Sequence, residues 1–182
     1  MNLFVVFKKA DGTFELVTPP LDGTILPGVT RDSILSLARR HAAGALRIPN
    51  LTPKLVVSER GVTMKEVCDA VESGRLVEMF GSGEFSLSLS LSLSLSSPCW
   101  RLLPSSRLVL NFIIGTAAIV SPVNRIGYQG KDVEIPVEGD GMGPVSRPIW
   151  ADLVARQTGE IESDWSVVVH EEMGDGFFDV TG

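Results

Sequence analysis

Two short runs have residue types suited to holding an anion. The first is Pro27-Gly28-Val29-Thr30, a proline–glycine turn that leads into apolar positions 34, 35, 38 and 42, spaced as one face of a helix. The first amides of a helix have no acceptor within it and the helix dipole is positive there, so such a turn suits a phosphate. Thr30 is the expected N-cap. The second run is Gly81-Ser82-Gly83, a small-residue turn that lacks the Gly-x-Ser-x-Gly spacing of a hydrolase elbow. Other reactive side chains are sparse. His41 and His170 are far apart in the chain, and Cys68 and Cys99 form neither a disulfide framework nor a zinc motif. His41 is expected on a helix surface rather than as a ligand, and no metal site is expected. The glycines of Gly139-Asp140-Gly141-Met142-Gly143 lack the spaced acidic ligands of a calcium loop and read as a flexible connection.

The elements that position these runs follow from local signals. Leu3–Phe7 and Phe14–Val17 are apolar strands joined through Asp11-Gly12, a hairpin turn signal. After the helix that begins near Thr30, Lys54–Ser58 reads as a strand. Thr63-Met64-Lys65-Glu66 reads as a capping box opening a helix that ends near Gly74. Arg75–Phe80 and Val133–Ile135 read as strands, Pro148–Gln157 as a helix stopped by Gly159, and Trp165–Val169 as a closing buried strand. The fold class is mixed α and β.

The 182 residues suit one domain or the larger part of one, and 44% apolar with 21% charged residues argues for a folded chain. The net charge of −6 is opposite in sign to a nucleic-acid footprint. Lys8 and Lys9 interrupt any secretory h-region, so a reducing compartment is expected. The apolar stretch Leu108–Val120 contains Asn111 and is too short to span a bilayer.

One segment is foreign to this pattern. From Ser86 to Leu95 the chain repeats Ser-Leu five times, as translated TC-repeat DNA would. Gly83-Glu84-Phe85-Ser86 can be written GGT-GAG-TTC-TCT, which contains the splice-donor consensus GTGAGT, and Ile114-Gly115 can be ATA-GGN, which supplies an acceptor AG. Joining the chain at these points removes residues 84–115, 32 in all, and sets Gly83 against Thr116. Residues 84–115 are therefore read as a retained intron, with a genuine low-complexity insertion as the alternative. Residues 1–83 and 116–170 are one domain, and 171–182 are a tail.

With the insert removed, the chain reads Glu78-Met79-Phe80-Gly81-Ser82-Gly83-Thr116-Ala117-Ala118-Ile119-Val120-Ser121-Pro122-Val123. Together with Leu21-Asp22-Gly23-Thr24-Ile25-Leu26-Pro27-Gly28-Val29-Thr30-Arg31, Val57-Ser58-Glu59-Arg60 and Gly159-Glu160-Ile161-Glu162-Ser163-Asp164-Trp165, this resembles the branched-chain amino acid aminotransferases, pyridoxal-phosphate enzymes of fold type IV. The resemblance runs from Met1 to about Val169 apart from the insert. It implies an incomplete C-terminal large domain, a barrel-like mixed sheet with surrounding helices. It also implies that the amides of Val29 and Thr30 hold the cofactor phosphate and that Leu26 packs against the pyridine ring. It further implies that Thr116 contacts the phosphate and that the amides of Thr116 and Ala117 receive the substrate carboxylate. The redox Cys-x-x-Cys of some members is replaced by Ala118-Ile119-Val120-Ser121.

By the same resemblance, the Schiff-base lysine precedes the segment that matches Met1, and none of Lys8, Lys9, Lys54, Lys65 or Lys131 matches it. The resemblance assigns amino transfer between leucine, isoleucine or valine and 2-oxoglutarate, in a homodimer of the cytoplasm or mitochondrion. The chain as written is expected to be inactive alone. The alternative is a non-catalytic fragment that binds an anion or pairs with intact subunits and poisons the dimer.

Overall fold

The computed structural model describes residues 2–83, 119–137, 139 and 141–167. Strands β1 (Asn2–Lys8) and β2 (Phe14–Thr18) form the expected hairpin. Its turn is closed by Gly12 N–H donating to the Lys9 carbonyl at 3.0 Å, with Gly12 at φ +80°. Helix α1 (Val29–Ala42) leads to β3 (Leu55–Glu59), α2 (Met64–Glu72) and β4 (Leu76–Ser82). Short strands β5 (Val120–Pro122), β6 (Arg125–Tyr128) and β7 (Lys131–Glu134) precede α3 (Ser146–Gln157).

The main sheet has the order β3-β2-β1-β4-β5, with β2 and β3 parallel and the other pairs antiparallel. Strand β1 lies at its centre, which explains its unbroken apolar run: both faces are covered. Phe4 and Val6 join Leu16, Ile34, Leu37, Phe80 and Ile149 in the core under α1 and α3. Val5 and Phe7 face the opposite way, against Val67 and Ala70 of α2, Met79 and Ile135. The rings of Phe4 and Phe80, register partners on β1 and β4, stack at 5.0 Å.

Four sequence expectations need correction. Helix α1 starts two residues earlier than expected, with Gly28 rather than Thr30 at the N-cap and no side chain capping it. In the expected capping box, the Thr63 hydroxyl accepts from the Glu66 amide at 3.2 Å. The Glu66 carboxylate, however, is taken by the Arg60 guanidinium at 2.8 and 3.0 Å and does not turn back to Thr63. His41 is buried, not on the surface. It accepts from the Ile48 amide through Nδ1 (3.0 Å) and lies 3.1 Å from the Thr52 carbonyl through Nε2, because the loop after α1 folds back over it. Finally, Trp165–Val167 is turn and coil, with Val167 84% exposed, and Val168 and Val169 lie outside the described residues. Ser163 organises this segment as a turn, its hydroxyl accepting from the Trp165 amide at 3.2 Å, while Ser166 donates to the Arg156 carbonyl at 3.0 Å.

Candidate anion-binding site

The candidate site is built where α1 begins, at the end of the sheet that carries Asn2 and Ser82. The approach to α1 is ordered by Asp22, whose carboxylate accepts from the Thr24 hydroxyl (2.6 Å) and amide (2.9 Å). These bonds, the hydroxyl's foremost, hold the Asp22 carboxyl below the usual range. Gly28 then supplies an extended N-cap, and its carbonyl accepts the first helical bond from Asp32 at 3.0 Å. With no side-chain cap, the first-turn amides of Val29 and Thr30 are oriented toward an incoming anion by helix geometry itself.

Behind this turn is an ion-pair anchor. The Arg31 guanidinium, almost wholly buried, donates to the Pro19 carbonyl at 2.8 Å and to Glu59 at 2.7 Å. Arg39 also donates to Glu59. The hydrogen bond from Arg39, followed by that from Arg31, holds the Glu59 carboxyl below its ordinary value. One carboxylate at the end of β3 thus fixes both the first and third turns of α1.

The second run meets the first through Asn2. Its side-chain amide donates to the Leu26 carbonyl at 2.9 Å, and its backbone is in register with Ser82 across the β1–β4 ladder. A Cβ on Gly28 would lie 2.4 Å from Asn2 Oδ1, so glycine permits the close approach. Ser82 is fully buried, and its hydroxyl has no partner among the described residues.

Of the residues expected at the site, Leu26, Val29 and Thr30 stand together on this loop and helix start. Leu26 and Val29 are 76% and 83% exposed, leaving their side chains open to a ligand or to further chain. Thr116 and Ala117 lie outside the described residues. Asn2 was missed by the sequence reading, and no local signal could have found it, because its role depends on pairing with Ser82 and reaching Leu26.

An uncapped helix start, a glycine pressed against a buried amide and an orphaned buried hydroxyl fit a phosphate-bearing cofactor. All five lysines are exposed. Lys65 is paired with Asp69 at 2.7 Å, and Lys8 and Lys9 lie at the far end of β1 from Asn2, roughly 20 Å along the strand. Among the described residues, no cluster of His, Cys, Asp or Glu could hold a metal ion, and no helix is long and apolar enough to cross a membrane.

Comparison with known proteins finds the chain similar to part of several aminotransferases. It is 37% identical over 171 residues to the branched-chain-amino-acid aminotransferase of Dictyostelium discoideum, covering 93% of this chain and 34% of the relative. Identity is also 37% to the cytosolic enzyme of that name from Saccharomyces cerevisiae, covering 93% of this chain and 35% of the relative. The mitochondrial one from Schizosaccharomyces pombe is 37% identical, covering 92% and 30%. The chain is homologous to a part of the branched-chain-amino-acid aminotransferases and spans about a third of the length of the curated relatives it matches. No protein-family profile matches it.

Proposed function

We propose that the chain is part of the large, C-terminal domain of a fold type IV branched-chain aminotransferase. In this reading the Leu26–Thr30 loop receives the phosphate of pyridoxal phosphate. The observation that carries it is the Asn2 bridge, which joins the uncapped start of α1 to the end of β4. The amides of Val29 and Thr30 bind the phosphate, Leu26 lies against the ring, and Thr116 and Ala117 complete the phosphate and carboxylate contacts. When bound, the cofactor supplies the electron sink for amino transfer. The chain's own residues bind and orient it. The substrates are leucine, isoleucine or valine with 2-oxoglutarate, in an intracellular homodimer.

Residues 84–115 interrupt this site. The β4–β5 ladder ends at Ser82 opposite Val120, so Gly83 and Ile119 leave it side by side. Removing residues 84–115 leaves Gly83, Thr116, Ala117, Ala118 and Ile119 between these partners, a five-residue loop of ordinary hairpin length. This geometry supports the retained-intron reading, because the excised chain closes a normal hairpin whose tip carries both Thr116 and Ala117.

None of the exposed lysines stands at the loop, so the chain has no transaminase activity alone. The test mixes the purified chain with pyridoxal phosphate and records absorbance between about 320 and 450 nm, followed by borohydride reduction and mass spectrometry. Scattered surface labelling is expected. A single modified lysine with a leucine-dependent spectral change overturns the inactive reading.

A further inference from the structure

We propose that Asn2 is a positioning residue for the anion loop: its carboxamide holds the Leu26–Gly28 segment in the conformation that aims the first amides of α1 outward. The inference rests on the phosphate-loop reading and deepens it. Asn2 is 5% exposed, although it opens a strand, and it is one of few polar side chains in the sheet interior. Both ends of its carboxamide face the loop. Nδ2 donates to the Leu26 carbonyl at 2.9 Å, and Oδ1 lies against the Cα side of Gly28, where a Cβ would be only 2.4 Å away.

This contact is needed because α1 has no side-chain cap. A Ser, Thr or Asp at the N-cap would fix the entry angle of the chain but would occupy the amides an anion must reach. Asn2 fixes that angle from the neighbouring strand, by a carbonyl two residues before the N-cap, and leaves the amides free. The strand is in turn held by its register with Ser82 and by the Thr18 hydroxyl, which donates to the Leu3 carbonyl at 2.7 Å. The helix start is held independently by Arg31, so loss of Asn2 loosens residues 26–28 without detaching α1.

The test compares the full chain with Asn2→Ala and Asn2→Asp. Affinity for inorganic phosphate is measured by the rise of the melting temperature with phosphate concentration, and amide hydrogen exchange is followed at residues 28–30. Asn2→Ala is expected to weaken phosphate binding about tenfold, the equivalent of one well-made hydrogen bond. Asn2→Asp should weaken it more, since it loses the donor and places a negative charge beside the helix start. Exchange at residues 28–30 should quicken in both variants, while exchange in β1 residues 4–6 changes little. Binding within about twofold of the parent, or unchanged exchange at the loop, overturns the proposal. If the parent chain gains no stability from phosphate, the phosphate-loop reading fails, and the exchange comparison still decides whether Asn2 sets the loop.

Discussion

The carboxylate of Glu78 accepts both the hydroxyl and the amide proton of Ser146, 68 residues further along the chain, and thereby caps helix α3 from inside the sheet. The same carboxylate takes the amides of Gly143 at 2.9 Å and Val145 at 2.8 Å. A Cβ on Gly143 would lie 2.6 Å from it, so only glycine allows the backbone this close. Removing the carboxylate leaves several buried donors unpaired, each costing about 1–3 kcal/mol. Glu78→Ala is therefore expected to destabilise the fold by about 3 kcal/mol or more, measured by urea denaturation, with Glu78→Gln intermediate. A loss below about 1 kcal/mol in Glu78→Ala contradicts the capping role.

His41 presents a second buried polar contact. Its ring bridges the Ile48 amide and the Thr52 carbonyl and pins the loop after α1 to the helix. His41→Ala strands both groups and should cost about 2 kcal/mol. His41→Asn, which carries a donor and an acceptor on a shorter side chain, should recover part of this. Equal stability of the two variants by thermal denaturation argues that only packing matters at this position.

These two residues show where sequence reading stopped. The hairpin, the central strand, α1 and α2 were legible because their signals are local: Asp11-Gly12, an unbroken apolar run, helical spacing and Thr63 before Glu66. Helix α3 starts at Ser146 rather than Pro148 because Glu78, remote in sequence, satisfies its first amides. The β6–β7 hairpin turns on Gln129-Gly130, both at positive φ, and Gln is not among the usual residues for the first of these positions, so β6 went unseen. At the site, the Leu26–Thr30 loop was legible from proline, glycine and helix spacing. Asn2 was not, since sheet register alone brings it there.

Acid should loosen the start of α1. The Glu59 carboxyl lies below its ordinary value through hydrogen bonds from Arg39 and then Arg31. A carboxyl depressed in the folded state contributes stability above its unfolded value of about 4.3 and loses it as pH falls through the folded value. Glu59→Gln is expected to lower the melting temperature at pH 7 and to flatten its decline between about pH 5 and 3. Parallel melting curves for the parent and variant over that range refute the assignment.

Gly28→Ala tests the close approach at the loop by steric means. The φ of Gly28 is −73°, so alanine is allowed by the backbone and the conflict is with Asn2 alone. Asn2 must rotate away and its bond to Leu26 breaks, at a cost of about 1 kcal/mol. The expected result is a small loss of stability with a larger loss of phosphate affinity. Combined with Asn2→Ala, the methyl group has no conflict, so the double variant should be no less stable than Asn2→Ala alone. Additive losses in the double variant place the effect of Gly28→Ala elsewhere.

Deleting residues 84–115 offers the broadest test of the domain reading. The connection between Ser82 and Val120 is now 37 residues and would become five. Loop-closure entropy, growing as (3/2)RT ln n, favours the shorter connection by about 2 kcal/mol. For a domain of this size that raises the melting temperature by about 4–8 °C. If residues 84–115 were an evolved part of the domain, their removal would instead expose core or break the sheet, and the melting temperature would fall. A rise accompanied by tighter phosphate binding would support the proposal that Thr116 and Ala117 act with the α1 start on one anion, whereas a rise with unchanged phosphate affinity would count against it.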